Sequence, residues 1–344
     1  MSAPEQVEQQ PAQALAAEEP QTDTDASSIG GSSDDGSLAS LRSSIMQYRR
    51  ENGRTYHKMS DGKYLLPNDA AVKREQDRLD MTHQLWLLTW DGELCNSPKN
   101  KGAKRVLDIG TGTGIWAIDY AEEHPEATVL GVDLSPIQPE FVPPNCSFEV
   151  DDVEKEWTWS KPFDFVFIRN MISSFSDWSE VVSKAYDNLE PGGYLELQDH
   201  SFPLKCDDGT MTENTSSLRW TQFLVEGARK TGRPIDVAPQ FQQMLIDAGF
   251  EDVEVRYERW PMTPWPKNDK LKELGVWFRA SLMHGIEAAS LALFTRVLDW
   301  EPEEAMVLCA EVRNEHKKLD IHGYYDVYSA WGRKPLKEAS EALQ

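Results

Sequence analysis

The stretch "VLDIGTGTGIWAIDYAEE", Val106 to Glu123, decides the fold. An apolar run ends in an aspartate, glycines follow at the alternate positions 110, 112 and 114, and the remainder carries helical spacing. A glycine-rich turn between a strand and a helix lets backbone N–H groups approach a ligand closely, because no Cβ stands in the way. After Gly110 and Gly112 the dinucleotide fingerprint G-x-G-x-x-G needs a third glycine at position 115. That position is Ile115, and no G-K-[ST] follows to cradle phosphates. The pattern is instead D-x-G-x-G-x-G, with Asp108 ahead of Gly110, Gly112 and Gly114.

Around this turn short apolar runs alternate with helical stretches. The segments 105–110, 128–135, 146–152, 163–170 and 193–200 read as strands. Their runs lack strict alternation, as expected of strands covered on both faces, and the economical arrangement is a parallel, doubly wound α/β sheet. The helix over "DWSEVVSKAYDNLE" is expected to close at Pro191-Gly192-Gly193. "EDVEVRYERW" (251–260) is a sixth strand, and "YYDVYSAWGRKP" (324–335) is expected to pair with it from across a helical insertion. Ahead of the sheet, Asp69 is a candidate N-cap for a helix reaching Trp90, with Val72, Leu79, His83, Trp86 and Trp90 on one face.

A chain of 344 residues with 40% hydrophobic content and 12 tryptophans can bury one large core. Residues 1–40 hold eight acids and no Lys or Arg, are poor in aromatic and branched apolar side chains, and read as a disordered acidic tail. A cap segment and helix over 41–104, a main domain over 105–335 with a helical lid at 261–320, and a tail at 336–344 complete the expected organisation. The net charge of −23 extends beyond the tail into the folded part, which disfavours phosphate backbones and anionic lipid, so neither nucleic acid nor membrane is an expected partner. Without a signal peptide or an apolar span the expected location is cytoplasmic, with a nuclear one open. The four cysteines lack paired spacing, and no metal site is expected.

S-adenosylmethionine carries no phosphate and needs other partners: a holder for its amino-acid end, an acid for the ribose diol, an acceptor for the adenine amine. Such groups stand at successive strand ends, where open α/β sheets bind ligands. Asp108 and the turn residues Gly110, Thr111, Gly112 and Gly114 face the methionine half. Asp133, followed by Leu134, can accept both ribose hydroxyls; Asp152 can accept from the adenine amine with the Val153 N–H facing the ring; Asn170 lies beneath the sulfonium. Each acid alone could equally be a helix cap or a solvated loop residue. Asp199 and His200, just past the fifth strand, are candidates for a general base, against the alternative of a backbone-bonded loop histidine. Trp265, Trp277, Phe278 and His284 are candidate substrate-pocket residues of the insertion, with helical core packing as the alternative.

The block from Val106 to His200 resembles a class I S-adenosylmethionine-dependent methyltransferase. "NGRTYHKMSDGKYLLPND", "EQDRLDMTHQLWLLTWDGEL", "DLSPIQPEFVPPNCSFEVDDVEKEW", "CDDGT" and "WPMTPWP" extend the likeness to the LaeA-type methyltransferases of filamentous fungi over roughly 45–335. The resemblance implies a Rossmann-like sheet of seven strands with the last antiparallel, and a cofactor pocket built on Asp108, Gly110, Gly112, Gly114, Asp133 and Asp152. It further implies either a tailoring enzyme methylating a small secondary metabolite or a regulator of secondary metabolism working with velvet-type partners in the nucleus. "IRNMISSFSDW" lacks the glycine expected before Asp-Trp in the regulator, and the aromatic ending "YYDVYSAWGRKP" also departs from it, so the tailoring enzyme is the leading expectation.

Overall fold

The computed structural model describes residues 48–51, 54–57 and 72–336. The acidic tail, the candidate cap Asp69 and nearly all of the C-terminal tail lie outside the described residues; of the segment 41–65, only an antiparallel hairpin is described, β1 (Tyr48–Glu51) with β2 (Arg54–His57). The pre-sheet helix is α1 (Val72–Thr89).

Seven strands form one sheet: β3 (Arg105–Ile109), β4 (Thr128–Asp133), β5 (Cys146–Val150), β6 (Phe163–Arg169), β7 (Leu189–His200), β8 (Glu251–Pro261) and β9 (Tyr324–Arg333). Their order is β5-β4-β3-β6-β7-β9-β8. The first five pair in parallel, and β9 runs antiparallel between β7 and β8. The chain moves outward from β3 in both directions, so a topological switch point opens between β3 and β6, at the carboxyl ends where ligands bind in such sheets.

Alternation along the central strands builds two cores. Val106, Phe165 and Phe167 face Trp116 and Tyr120 of α2 (Ile115–Glu123), with Trp116 stacked on Phe167 at 4.0 Å between ring centroids. Leu107, Ile109, Val166 and Ile168 face α3 (Trp178–Asn188) and α5 (Phe241–Asp247). Covering both faces leaves these strands almost fully buried, whereas edge strand β8 carries exposed charges along its length, which discourages pairing with another chain.

One boundary differs from the sequence expectation. Pro191-Gly192-Gly193 does not follow the helix as a stop; β7 already begins at Leu189, and its ladder with β6 shifts register between Phe163 and Phe165. Gly192 N donates to Lys334 O and Lys334 N to Gly193 O, so the non-local partner past β9 supplies the hydrogen bonds that hold this stretch extended.

The remaining helices, α4 (Ser216–Lys230), α6 (Asp269–Val297) and α7 (Pro302–Glu315), form a layer around Trp220, Leu224, Ile286, Phe294, Leu308 and Val312. α1 packs along α6, with Thr82 Oγ1 2.9 Å from Ser281 Oγ. The link from α1 to β3 is fixed by Glu196 in mid-β7, whose buried carboxylate accepts the Asn96 and Ser97 amides, Gln198 Nε2 and Ser329 Oγ. No described helix is long and apolar enough to cross a membrane.

Candidate active site

The switch point opens into a cavity of about 390 Å³. Its floor is the row of strand ends, and α1 and α6 roof it.

The turn after β3 is tied to the neighbouring strand end. Gly110 N donates to Val132 O at 2.8 Å, and Gly112 N donates to Asp133 Oδ2 at 2.9 Å. Gly112 has φ +57, so the left-handed conformation that aims its amide suits a residue without a Cβ. Asp133 Oδ1 accepts the Ser135 amide at 2.9 Å. Burial raises the Asp133 pKa, and the amides of Gly112, Ser135 and Leu134 act against that rise. Each carboxylate oxygen still has a lone pair to offer a ligand.

Asp108 accepts Thr111 Oγ1 at 2.6 Å and is almost wholly buried. Burial pushes its carboxyl up to about 6 against the opposing pull of Thr111 and Arg169. Asp152 and Val153 are buried at the cavity wall after β5. Asn170 follows β6 at φ +60, a conformation asparagine tolerates better than most residues, and its amide donates to Gln198 O. Asp108, Gly110, Thr111, Gly112, Asp133, Leu134, Asp152, Val153 and Asn170 thus all line one cavity.

Gly114 does not line it. At φ +81 it caps α2, and an added Cβ would fall 2.4 Å from Phe148 Cζ, so this glycine serves the packing of the turn against the sheet.

Asp199 is fully buried and faces the backbone: Oδ2 accepts the Met171 and Ile172 amides at 2.7 and 2.9 Å, and Oδ1 accepts the His200 amide. This corrects its expected catalytic role, because a carboxylate holding the loop after β6 is not presented to the cavity. His200 does line the cavity, ringed by Phe202, Trp260, Phe278 and Tyr325. Its buried Nδ1 lies 3.3 Å from Asp199 Oδ1 without a hydrogen bond. A proton on Nδ1 is favoured beside that carboxylate, which leaves the ring's lone pair on Nε2.

The insertion residues divide by helical face. Phe278, Ser281, Leu282, Gly285, Ala288 and Ala289 look inward from α6. Trp277 and His284, seven residues apart, share another face: Trp277 packs in the cluster with Trp86 and Trp260, and exposed His284 turns Nδ1 to Ala280 O. Trp265 stacks on His322 at 4.6 Å and donates Nε1 to Gly323 O. None of these three expected pocket residues lines the cavity: the rotation of α6 about its axis carries Trp277 and His284 away from it, and Trp265, ahead of α6, is held against His322 and Gly323 instead.

Sequence reasoning passes over Arg169 and counts His83 only as part of a helical face. Both line the cavity, with Arg169 Nη2 2.8 Å from His83 Nδ1. The available signal was an arginine directly after the apolar run Phe165–Ile168 of β6. It also passes over Glu154, which pairs with Arg233 at 2.7 Å and accepts Ser176 N and Oγ. Burial opposes the Glu154 charge, but Arg233 and Ser176 more than offset it and hold the carboxyl at about 2.

Comparison with known proteins agrees with this geometry. A methyltransferase-domain family model matches residues 89–255. Methyltransferase pytC of Aspergillus terreus is 41% identical over 302 residues, 88% of this chain and 92% of that protein. The probable methyltransferase tdiE of Emericella nidulans is 33% identical over 302 residues, 87% and 93% of the two chains. The protein-methionine methyltransferase laeA of Emericella nidulans is 34% identical over 294 residues, 85% and 78% of the two chains. With identities of this size over most of each length, the chain belongs to the LaeA-type family of fungal S-adenosylmethionine-dependent methyltransferases.

Proposed function

We propose that the protein methylates a small, largely apolar secondary metabolite in a two-part cavity, one end taking S-adenosylmethionine and the other the acceptor. The supporting observation is that strand-end acids and an apolar chamber share one continuous space. The donor set fits the cofactor: Asp133 retains lone pairs for two ribose hydroxyls, and Asp152, buried at the cavity wall, offers a carboxylate to an adenine amine. Bound there, the cofactor supplies an activated methyl group on a sulfonium.

The rest is done by the chain's own residues. Trp220, Leu224, Ile235, Leu282, Ala289 and Leu293 line the chamber between α4 and α6, where an uncharged substrate desolvates at little cost. Alignment in a dry pocket supplies most of the rate of an in-line transfer. His200 Nε2 takes the acceptor's proton when the acceptor is a hydroxyl or amine, and Asp199 keeps the proton on Nδ1.

A second reading is favoured by relatives named as secondary metabolism regulators, such as LAE1 of Cochliobolus heterostrophus at 35% identity over 292 residues. In it the same site serves a regulator acting through velvet-type protein partners in the nucleus rather than on a metabolite in the cytoplasm. Comparing metabolite extracts from strains with and without the gene separates the two. One compound losing a methyl group supports the tailoring enzyme; broad change across many unrelated compounds supports the regulator.

A further inference from the structure

The polar side chains that α4 and α6 bring to the apolar chamber have their hydrogens committed elsewhere. Trp220 of α4, Thr231 at the end of α4 and Ser281 of α6 all line the cavity. Trp220 Nε1 donates to Ser290 Oγ at 2.8 Å, and Ser290 Oγ in turn donates to Ile286 O at 2.6 Å. Thr231 Oγ1 donates to Ala228 O at 2.7 Å. Ser281 Oγ lies 2.9 Å from Thr82 Oγ1, whose single hydrogen already goes to Arg78 O at 2.9 Å, so the serine is the donor of that pair. Around these groups stand Leu224, Ala228, Leu282, Ala289 and Leu293. Arg233, in the loop after α4, is drawn away to Glu154 Oε2 at 2.7 Å and to Ser174 O.

A ketone, ester or ether oxygen that leaves water for this wall gives up its donors and finds none in exchange, whereas a hydrocarbon surface gains by the same move. The other end of the cavity differs. His200, Asn170 and the strand-end acids line it, and with its proton on Nδ1 beside Asp199 the His200 ring accepts through Nε2. One continuous space therefore joins a wall without a donor to offer and an end rich in acceptors, and a ligand that fits both is polar at one end only.

We propose that the acceptor presents a bare hydrocarbon skeleton, isoprenoid or reduced polyketide in character, to the wall of α4 and α6, and carries its hydrogen-bonding groups only at the end that meets His200. This assignment rests on the two-part cavity reading above. Its test is calorimetric titration of the chain saturated with S-adenosylhomocysteine, using two alcohols of equal chain length: decanol, and methyl ω-hydroxyoctanoate, which carries an ester at its far end. Decanol is expected to bind about ten-fold or more tightly than the ester, the effect of an acceptor left without a donor. The ester is also the more water-soluble probe, so the decisive quantity is the change in that ratio when the wall gains a donor. Leu282→Gln adds an amide N–H to α6 and is expected to bring the ratio down to about three or less; Leu224→Gln does so from α4 if the first variant fails to fold. A ratio near unity in the wild type, a ratio that neither variant moves, or uptake of neither alcohol by a chain that holds S-adenosylhomocysteine would overturn the assignment and leave the cofactor end standing. A wild-type chain that does not bind S-adenosylhomocysteine would overturn the two-part reading itself, and this assignment with it.

Discussion

Gly112 donates its amide to the Asp133 carboxylate at 2.9 Å, joining the glycine turn after β3 to the end of β4. The contact ties the turn to the strand end and opposes the burial that raises the acid's pKa. A Cβ at residue 112 would meet only Leu79 Cδ1, at 3.6 Å, so Gly112→Asp should fold. Its added charge beside Asp133 should cost at least about ten-fold in S-adenosylhomocysteine affinity, equal to about 1.4 kcal/mol. Calorimetry on the folded variant checks this, and unchanged affinity would count against the site.

Gly114 should behave differently. A Cβ there meets the Phe148 ring at 2.4 Å while the backbone stays at φ +81. Gly114→Ala should therefore destabilise by about 2–4 kcal/mol, from overpacking and left-handed strain together. Urea midpoints give the comparison with Gly112→Ala, which carries only the strain.

Affinity for S-adenosylhomocysteine should depend on pH through Asp108. Burial raises its pKa to about 6, and the ionised form is the partner for an ammonium, so binding is complete above that value and weakens as pH falls through it. One proton gives at most about ten-fold per pH unit over that window. Titrations from pH 5 to 8 should show the slope, and Asp108→Asn should flatten it.

Ala289 faces the apolar chamber from α6. Ala289→Phe should fill that space and reduce product formation by about ten-fold or more while S-adenosylhomocysteine still binds as in the wild type. Loss of both together would mean that the chamber and the cofactor end are not separable.

Asp199 and His200 are adjacent but should fail in different ways. Asp199→Ala strands two loop amides and is expected to cost about 2–4 kcal/mol of stability, read by thermal unfolding. His200→Asn should leave the unfolding temperature nearly unchanged and lower turnover by about 100-fold. A fully active His200→Asn would remove it as a proton acceptor.

Much of this molecule is legible in the order of its residues. Apolar runs ending in Asp108, Asp133 and Asn170 are local signals, and parallel pairing brings the ends of such runs to one side of a sheet. That is why spacing alone could gather these residues at one end of the cavity. Pro191-Gly192-Gly193 was not legible in this way, because its hydrogen bonds come from Lys334, far along the chain.

The sequence by itself determined the strand–turn–helix periodicity, the strand-end acids and the departure from a dinucleotide turn at Ile115. Tertiary packing decided which side chains meet. The rotation of α6, pinned by Thr82 against Ser281, turned Phe278 and Gly285 inward and Trp277 and His284 away. Closure of α1 over the sheet brought His83 to Arg169, and the loop after β6 claimed Asp199. The physical reason is range: strand and turn preferences act over a few residues, whereas a helix's rotation and a buried charge's partner depend on residues tens to hundreds of positions away.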